Sequence, residues 1–256
     1  MSVSVFSVVI PARYESTRLP GKPLLDIAGL PMIVRVAQRA VESGAQEVIV
    51  ATDDPRIVEA VESAGFKALL TRADHTSGSD RVMEVVVARG WDEQAIVLNV
   101  QGDEPLIPPG VIAQLAQRLA ANDSLAAATL CEQIENRATL FDPNVVKVVR
   151  SRDGLALYFS RAPVPYDRQS FSEQAVALAP ERHWWRHIGV YAYRVWALAR
   201  FVALPVSELE ATESLEQLRL LDNGMDMLVE EASESVPRGV DTPADLERTR
   251  TLLSAR

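Results

Sequence analysis

A basic segment near the start of the chain, residues 13–23, contains the side chains that best suit chemistry on phosphate. An arginine guanidinium meets phosphate oxygens as a planar fork and a lysine ammonium as a compact charge, so Arg13 and Lys22 are its candidate phosphate ligands. The segment differs from the Gly-x-x-x-x-Gly-Lys-Ser/Thr loop, because Ser16 occupies the first glycine position and Pro23 follows the lysine. A nucleotide site here would depend on cationic side chains more than on backbone amides.

Two aspartates that are distant in the sequence could hold a divalent cation. Asp103 follows an apolar run at 95–100, and Asp241 directly precedes a predicted helix start at Thr242. Mg²⁺ takes oxygen ligands, usually one or two carboxylates together with substrate phosphates. Gln101, in the same turn as Asp103, offers the paired donor and acceptor groups that suit a nucleotide base. An ordinary turn or solvated loop is the alternative interpretation for these residues.

Two other polar clusters are candidates for binding. The loop 71–81 contains more hydroxyl and cationic side chains than the following helix needs for its cap, which Ser79 or Asp80 could provide. Farther along, Glu216 and Gln217 lie on a predicted helix whose leucines mark its buried side. A solvated polar face is the alternative interpretation of that second cluster.

Apolar runs and helical patterns alternate along the first half of the chain. Strands are predicted at 5–10, 48–51, 66–70, 95–100 and 125–130, and helices at 31–41, 54–64, 81–89 and 109–120. This succession predicts an α/β fold with a doubly wound, mostly parallel sheet. The first strand is expected to stop at Pro11. Because ligands bind such sheets at the carboxyl ends of the strands, the basic segment should lie at the binding edge.

The pattern changes in residues of about 135–195. Two apolar runs, at 145–150 and 156–159, flank an Asp-Gly pair, which predicts a β-hairpin. An irregular segment rich in proline and arginine, 160–185, precedes another strand at 187–193. We expect this part of the chain to be an insertion beside the parallel sheet of a single domain that includes all 256 residues.

Composition argues against several classes of protein. Hydrophobic residues make up 48% of the chain, which predicts a folded globule with a sizeable core. A net charge of -9 and a pI near 5.0 argue against nucleic-acid binding. The single cysteine, Cys131, permits no internal disulfide, and no Cys/His cluster indicates zinc. No pattern of a signal peptide or membrane span is present, so we expect no membrane insertion and a cytoplasmic location.

Seven motifs occur in an order that resembles a known enzyme family. They are Arg13-x-x-Ser16-x-Arg18-Leu19-Pro20-Gly21-Lys22-Pro23, Thr71-Arg72-Ala73-Asp74-His75, Asn99-Val100-Gln101-Gly102-Asp103-Glu104-Pro105, Ala156-Leu157-Tyr158-Phe159-Ser160-Arg161, His187-Ile188-Gly189-Val190-Tyr191, Leu215-Glu216-Gln217-Leu218-Arg219 and Val240-Asp241-Thr242-Pro243. The ordered set closely resembles the 3-deoxy-manno-octulosonate cytidylyltransferase (CMP-Kdo synthetase) family. The resemblance extends from the first strand to the last helix and implies a Rossmann-like nucleotidyltransferase fold with an inserted hairpin or lid subdomain.

The resemblance implies a reaction in which CTP and the acidic sugar Kdo give CMP-Kdo and pyrophosphate with Mg²⁺, for lipopolysaccharide biosynthesis. It implies roles for particular residues: Arg13 and Lys22 on the CTP phosphates; Arg72, Ser77 and Gln101 near the cytidine; Asp103 and Asp241 on Mg²⁺; and Arg161, His187, Tyr191, Glu216 and Gln217 around the sugar. Arg13, Lys22, Asp103 and Asp241 would be the catalytic set. The resemblance also implies a homodimer, with the insertion as substrate lid and dimer interface.

The chemistry of the residues agrees with this reaction, because transfer to an anionic sugar needs positioning and charge neutralisation. No Ser/His/Asp or Cys/His nucleophilic set is evident, which favours direct displacement. Tyr14 and Tyr166 depart from the family pattern, and the sugar could instead be 8-amino-Kdo or a sialic acid. A uridylyl-, thymidylyl- or guanylyltransferase on the same fold is a second alternative. A non-catalytic nucleotide sensor is a third, and a pyrophosphate-release assay separates it from an enzyme.

Overall fold

The computed structural model describes residues 5–16, 18–169, 171, 178 and 183–254. Thr17 of the basic segment, and most of residues 170–182 in the predicted irregular segment, lie outside the described residues. The strands are β1 (Phe6–Ala12), β2 (Asp26–Ile27), β3 (Leu30–Pro31), β4 (Glu47–Thr52), β5 (Lys67–Leu70), β6 (Ile96–Asn99), β7 (Ala127–Gln133), β8 (Lys147–Arg150), β9 (Ala156–Ser160), β10 (Trp185–Arg194) and β11 (Met227–Glu231).

The helices alternate with these strands. They are α1 (Met32–Glu42), α2 (Pro55–Ser63), α3 (Gly78–Arg89), α4 (Pro109–Ala120), α5 (Arg137–Phe141), α6 (Val195–Ala203), α7 (Glu208–Glu213), α8 (Leu218–Asp222) and α9 (Pro243–Ser254). A short 3-10 helix, Lys22–Leu24, follows the basic segment. None of the helices in the described ranges is long and apolar enough to cross a bilayer.

One large sheet dominates the described part of the chain, in the strand order β11-β7-β10-β6-β1-β4-β5. The neighbours β6, β1, β4 and β5 are parallel, as predicted. β10 is antiparallel to both β6 and β7, whereas β11 is parallel to β7. The hairpin of β8 and β9 joins the sheet through β10. The mostly parallel α/β prediction is therefore confirmed, with one reversed strand inside the sheet.

Alternate residues of the central strand face two separate layers of helices. Val8 and Ile10 of β1 lie in one buried cluster with residues of α1, α2 and α4. Val9, between them, lies in a second buried cluster with residues of α3 and α6. This alternation is the period-two pattern of a strand that is covered on both faces. It confirms the doubly wound arrangement.

The structure differs from the predicted strand boundaries at β1. The strand continues through Pro11 to Ala12, although we expected it to stop at Pro11. Proline is tolerated because β6 pairs with β1 only as far as Val9, so the missing amide lies beyond the last pairing position on that side. The basic segment still begins at the carboxyl edge.

The boundary of the predicted insertion also differs. Residues of about 135–195 were expected beside the sheet, but β10 lies within it, between β6 and β7. A single sequence does not reveal this position, because the pairing partners of β10 are distant in the chain. The hairpin prediction is confirmed by β8 and β9. The last part of residues 135–195 is thus a central strand of the sheet. The roles of these residues as substrate lid and dimer interface stay predictions.

Candidate functional site

A cavity of about 400 Å³ opens at the carboxyl edge of the sheet, beside the end of β1. The basic segment, the turn after β6 and the loop before α9 form its wall. Five of the predicted site residues line it: Arg13, Lys22, Gln101, Asp103 and Asp241. These five side chains therefore lie together at the carboxyl edge, where loops that follow parallel strands are expected to meet.

Lys22 is the charged centre of this cavity. Its Nζ lies 2.6 Å from Asp103 Oδ2 and 3.1 Å from Asp241 Oδ1. Burial lowers the pKa of Lys22, but Asp103 and Asp241 outweigh that effect and the net pKa is raised above its ordinary value. The side chain is therefore a charged ammonium at neutral pH, and it links the first and last loops of the site.

Close backbone packing fixes Asp241 beside Asp103. Val240 N donates to the Asp103 carbonyl oxygen at 2.9 Å. A Cβ added to the preceding Gly239 would lie 2.9 Å from Glu104 Oε1 and 3.1 Å from the Asp103 carbonyl oxygen. A larger residue here would displace the Glu104 carboxyl group and press on the Asp103 carbonyl, so glycine allows the close approach of the two loops.

The helix start after Asp241 has the predicted capping geometry. Asp245 N donates to Thr242 Oγ1 at 3.2 Å, and Thr242 N donates to Asp245 Oδ2 at 2.9 Å. These reciprocal bonds satisfy backbone donors in the first turn of α9. They leave the Asp241 carboxylate available to the cavity.

The two aspartates suit a divalent cation that is completed by a substrate. Oxygens of Asp103 and Asp241 converge on a single cationic atom, the Lys22 Nζ. Across the described ranges, no group of three or more His, Cys, Asp or Glu side chains could hold a metal ion. Because Mg²⁺ commonly takes one or two carboxylates plus phosphate oxygens and water, the pair fits Mg²⁺ bound together with a nucleotide.

Sequence reasoning gave no role to two other ionisable residues at or beside this cavity, Arg18 and Glu104. Arg18 lines the cavity, and its NH2 lies 3.2 Å from Asp241 Oδ1. Burial and the neighbouring Asp103 raise the pKa of Glu104 to about 8, so its carboxyl group is largely protonated at pH 7. The sequence did contain a signal for both residues, because Arg18 lies in the same motif as Lys22 and Glu104 in the same motif as Asp103.

The loop after β5 contacts the basic segment but contributes no lining residue to the cavity. Arg13 donates from NH2 to the backbone carbonyl of His75. The Arg72 guanidinium is exposed and forms a two-bond ion pair with Asp74, at 2.9 and 2.6 Å. The structure thus holds Arg72 at the edge of the site, with its fork directed to a neighbouring carboxylate.

Ser77 has a structural role that the sequence analysis gave to its neighbours. It is the N-cap of α3, and its Oγ accepts from Asp80 N at 3.1 Å, while Asp80 Oδ2 accepts from Ser77 N at 3.0 Å. The helix therefore begins earlier than the expected cap at Ser79 or Asp80. The reciprocal capping box explains this earlier start.

A second polar cluster lies on β10, next to the end of β6. The His187 ring lies 4.9 Å from the Phe159 ring and 5.4 Å from the Tyr191 ring, measured between centroids. His187 Nε2 lies 3.0 Å from Thr129 Oγ1. Burial lowers the pKa of His187 to about 3, with a smaller effect from Arg186, so the imidazole is neutral at pH 7.

Glu216 and Gln217 add buried polar atoms to this second cluster. The prediction that they lie on one helix is wrong: Ser214 ends α7 in the left-handed conformation, and both residues lie in the turn before α8. Glu216 Oε2 accepts from Ser79 Oγ at 3.2 Å, and burial raises the pKa of Glu216 above its ordinary value. Glu216 also raises the pKa of Tyr191, after the larger effect of burial. Among the described residues, Glu216 Oε1 and Gln217 Nε2 are buried without a hydrogen-bond partner. Such atoms are costly unless a ligand or water satisfies them, so they indicate a polar binding pocket.

Arg161, also predicted to contact the sugar, is held by backbone carbonyls. Its Nε, NH1 and NH2 donate to the carbonyl oxygens of Glu213, Pro143 and Ser214 at 2.7, 3.1 and 3.4 Å. Glu213 Oε2 also accepts from the Arg161 backbone amide at 2.9 Å. The guanidinium therefore connects the end of β9 to the segment that leads to Glu216.

The two clusters share a wall at the end of β6. Gln101 Nε2 lies 3.4 Å from Asn99 Oδ1, and Asn99 is the pairing partner of Tyr191 across β6 and β10. A Cβ added to Gly78 would lie 3.5 Å from Pro11 Cγ and 3.9 Å from Asn99 Nδ2. A ligand in the cationic cavity and a ligand near Tyr191 would therefore be neighbours.

The comparisons with known sequences identify the family of the chain. A family model described as Cytidylyltransferase matches residues 7–227. The 3-deoxy-manno-octulosonate cytidylyltransferase of Hahella chejuensis (strain KCTC 2396) is 53% identical over 252 residues, which are 98% of this chain and 99% of the relative. Proteins of the same name from Pseudomonas fluorescens (strain SBW25) and Alcanivorax borkumensis are 55% and 54% identical, with the same coverage.

Solved structures agree with the fold. A structure described as CMP:2-keto-3-deoxy-manno-octonic acid synthetase complexed with CTP has a TM-score of 0.89 at 45% identity, over 98% of this chain and 99% of that one. A nucleotidyl transferase from Methanothermobacter thermautotroptrophicus has a TM-score of 0.65 at 17% identity, over 98% of this chain and 99% of that one, and shares the fold alone. This chain belongs to the cytidylyltransferase family, and within it to the 3-deoxy-manno-octulosonate cytidylyltransferases.

Proposed function

We propose that the chain transfers CMP from CTP to 3-deoxy-D-manno-octulosonate, releasing pyrophosphate and forming CMP-Kdo. The observation that carries this proposal is the convergence of Lys22, Asp103 and Asp241 on one cavity, next to a separate cluster of polar side chains with unpartnered buried atoms. The family membership of the chain supports the identity of both substrates.

The reaction is a direct displacement at phosphorus. The anomeric hydroxyl oxygen of Kdo forms a bond to the α-phosphorus of CTP. The bond from that phosphorus to the oxygen that bridges to the β-phosphate breaks, and pyrophosphate leaves with the electron pair. The hydroxyl proton is released to the solvent. Both substrates are anionic, so the main tasks of the protein are positioning and charge neutralisation.

Arg13 and Lys22 are the proposed phosphate ligands. Lys22 is a partly buried ammonium that faces the cavity, and Arg13 is anchored to the loop after β5 through the His75 carbonyl. Gln101 lines the same cavity, and Arg72 and Ser77 lie on that neighbouring loop. We therefore propose that Gln101, Arg72 and Ser77 surround the cytidine, with Arg72 turning from Asp74 to do so.

Asp103 and Asp241 are the proposed protein ligands of Mg²⁺. When bound, Mg²⁺ would neutralise charge on the phosphates and on the leaving pyrophosphate. The two carboxylates approach each other from opposite ends of the chain, and Val240 N fixes their relative position through the Asp103 carbonyl. Lys22, between them, would be released towards the phosphates as the carboxylates take up another cation.

The pocket around Tyr191 is the proposed Kdo site. Glu216 and Gln217 have unpartnered atoms that suit sugar hydroxyls, and the neutral His187 can donate or accept a hydrogen bond. Arg161 has a planar fork that suits the sugar carboxylate. It would need to exchange at least one backbone carbonyl partner to reach that carboxylate.

We also propose an assembly and a location for the chain. Three large apolar side chains of the insertion are exposed, Phe141 at 42%, Leu157 at 60% and Tyr166 at 65%. A second copy of the chain could cover them, which supports a homodimer with the insertion as interface and lid. We place the reaction in the cytoplasm, where nucleoside triphosphates are made, as a supply of CMP-Kdo for lipopolysaccharide biosynthesis.

The test is pyrophosphate release with CTP, UTP, dTTP or GTP, each combined with Kdo, 8-amino-Kdo or a sialic acid. We expect release with CTP and Kdo in the presence of Mg²⁺ and little release when Mg²⁺ is chelated. Faster release with another nucleotide or sugar would replace the proposed substrate. Tight CTP binding without release under any condition would support a sensor.

A further inference from the structure

A fully buried arginine connects the loops on either side of the proposed nucleotide. Arg81, in the first turns of α3, has a relative exposure of 0%. Its NH2 donates to Asp53 Oδ2 at 2.9 Å, and its NH1 donates to Thr71 Oγ1. Asp53 follows β4, and Thr71 follows β5. The guanidinium thus joins the carboxyl ends of two parallel strands below the cavity.

The same network extends to the basic segment. Asp53 Oδ1 accepts from Tyr14 N at 3.4 Å, so the carboxylate contacts Arg81 on one side and the loop after β1 on the other. Thr71 Oγ1 in turn donates to the Thr52 carbonyl oxygen at 3.0 Å. Three consecutive ligand-edge loops are therefore tied to one guanidinium.

The energetics of this arrangement favour a positioning role. Arg81 is fully buried, whereas the Asp53 side chain is 17% exposed. Such an ion pair contributes little to stability compared with well-packed apolar side chains of similar size, because the buried guanidinium loses its hydration. In the described part of the chain, Arg81 Nε is also buried without a hydrogen-bond partner. The fork geometry does, however, restrict where Asp53 and Thr71 can lie.

We propose that Arg81, through Asp53 and Thr71, sets the distance between the phosphate-binding and cytidine-binding loops, and so lets CTP engage both at once. Arg81 is a positioning residue, since its buried side chain touches no part of the cavity. This inference rests on the proposed nucleotide site. A ligand that contacts two sites gains affinity when the protein holds those sites at the separation that the ligand spans. A ligand that contacts one site gains nothing from that separation.

The test compares three probes on four proteins by calorimetry in the presence of Mg²⁺. The probes are CTP, which spans both loops, CMP, which lacks the outer phosphates, and inorganic pyrophosphate, which lacks the nucleoside. The proteins are the wild type, Arg81→Lys, Asp53→Asn and Arg194→Lys. Lysine retains the charge of Arg81 but cannot copy its fork, and Asp53→Asn keeps the shape of the carboxylate at a partly exposed position.

Arg194→Lys is the matched control. Arg194 is 5% exposed, also has a buried Nε without a partner in the described chain, and bonds to Asp123 and to backbone carbonyls. It lies opposite Ile96, the first residue of β6, and therefore at the other edge of the sheet. A general effect of disturbing a buried arginine should appear equally in this variant.

We expect Arg81→Lys and Asp53→Asn to weaken CTP on the order of 10-fold or more, with CMP and pyrophosphate each changing less than about threefold and the control unchanged for all three. The KM for CTP should rise in the same variants, while the KM for Kdo stays constant. Equal losses for the three probes, or unchanged CTP binding in folded Asp53→Asn, would overturn the inference alone. A wild type that does not bind CTP would overturn the proposed function as well.

Discussion

The Lys22 ammonium and the Asp103 carboxylate form an ion pair 2.6 Å long inside the cationic cavity. One partner is the proposed phosphate ligand and the other a proposed metal ligand. Each therefore neutralises the charge of the other. A metal–nucleotide complex would replace this ion pair by a contact between Lys22 and phosphate and a contact between Asp103 and the metal. The phosphate and metal sites are thus coupled through a single contact.

Asp103→Asn and Asp241→Asn should each reduce turnover strongly while the fold remains intact. Loss of a group that stabilises charge in the transition state commonly costs about 10²–10³-fold in rate. Pyrophosphate release at saturating CTP and Kdo, over a Mg²⁺ titration, measures this effect. Asp226→Asn, at an exposed position before β11, is the matched control. Turnover near that of the wild type at saturating Mg²⁺ would remove the substituted aspartate from the mechanism.

Lys22→Ala should weaken the binding of CTP much more than the binding of CMP, because the proposed partners of the ammonium are the outer phosphates. A charge-assisted contact of this kind contributes about 1.5–3 kcal/mol. Calorimetric titrations of both nucleotides give the ratio. Lys67→Ala is the control, since Lys67 is an exposed lysine that pairs with Glu47. A similar loss for the two nucleotides would indicate a general defect of the loop.

Arg161→Lys should raise the KM for Kdo and leave the KM for CTP nearly constant. Lysine cannot reproduce the two parallel bonds of a guanidinium to a carboxylate. The melting temperature should fall as well, because three backbone carbonyls lose arginine donors. Steady-state kinetics should be run well below the melting temperature, beside a sizing column. A stable variant with unchanged Kdo dependence would disprove the carboxylate assignment.

Gln217→Leu should separate binding from stability. Gln217 is 4% exposed, and its Nε2 has no hydrogen-bond partner among the described residues. Replacing an unsatisfied buried polar group by an apolar one of similar size is commonly neutral or stabilising. We therefore expect an unchanged or raised melting temperature together with a KM for Kdo that rises at least about tenfold. A large loss of stability would show that the amide has a structural partner.

His187 should make stability depend on pH in the acidic range. Its folded pKa of about 3 lies below the ordinary value of 6.5, so the unfolded chain binds more protons between these limits. The free energy of unfolding should therefore fall as the pH decreases from 6.5 towards 3, by about 1.4 kcal/mol per pH unit from this group. Urea unfolding at a series of pH values gives the free energy of unfolding as a function of pH. The slope of that plot should differ by this amount between the wild type and His187→Gln.

His183→Gln is the control for the same experiment, since His183 is exposed. It should follow the wild-type slope. Parallel curves for the wild type and His187→Gln would mean that the imidazole is not buried in its neutral form.

The sequence predicted the parallel half of the fold well because its signals are local. The helix predicted at 54–64, for example, is α2, which Asp54 caps through a bond from Arg56 N. Likewise, loops that follow parallel strands meet at one edge, so the order of the strands along the chain was enough to group Lys22 with Asp103. Asp241 follows no predicted strand, and its place beside Asp103 was expected only from the family resemblance and from its suitability as a second metal ligand.

Long-range pairing explains what the sequence did not reveal. The place of β10 depends on neighbours in β6 and β7, and the partners of Arg161 are carbonyl groups, which every residue has. The contact of Arg81 with Asp53 also joins side chains of two different elements, since Arg81 lies in α3 and Asp53 follows β4. α6 was missed because eight of its nine residues are apolar, and so short an apolar run does not distinguish a helix from a strand.

The last loop of the site has a consequence for how the protein is made. Lys22 and Asp241 are separated by 219 residues, whereas the final strand of the sheet ends at Glu231. A chain emerging from the ribosome can thus complete its sheet before Asp241 is available. The catalytic cavity would close only when Val240 and Leu246 dock against Leu19. Chains that are still being synthesised, and chains truncated before this loop, would then be unable to consume CTP.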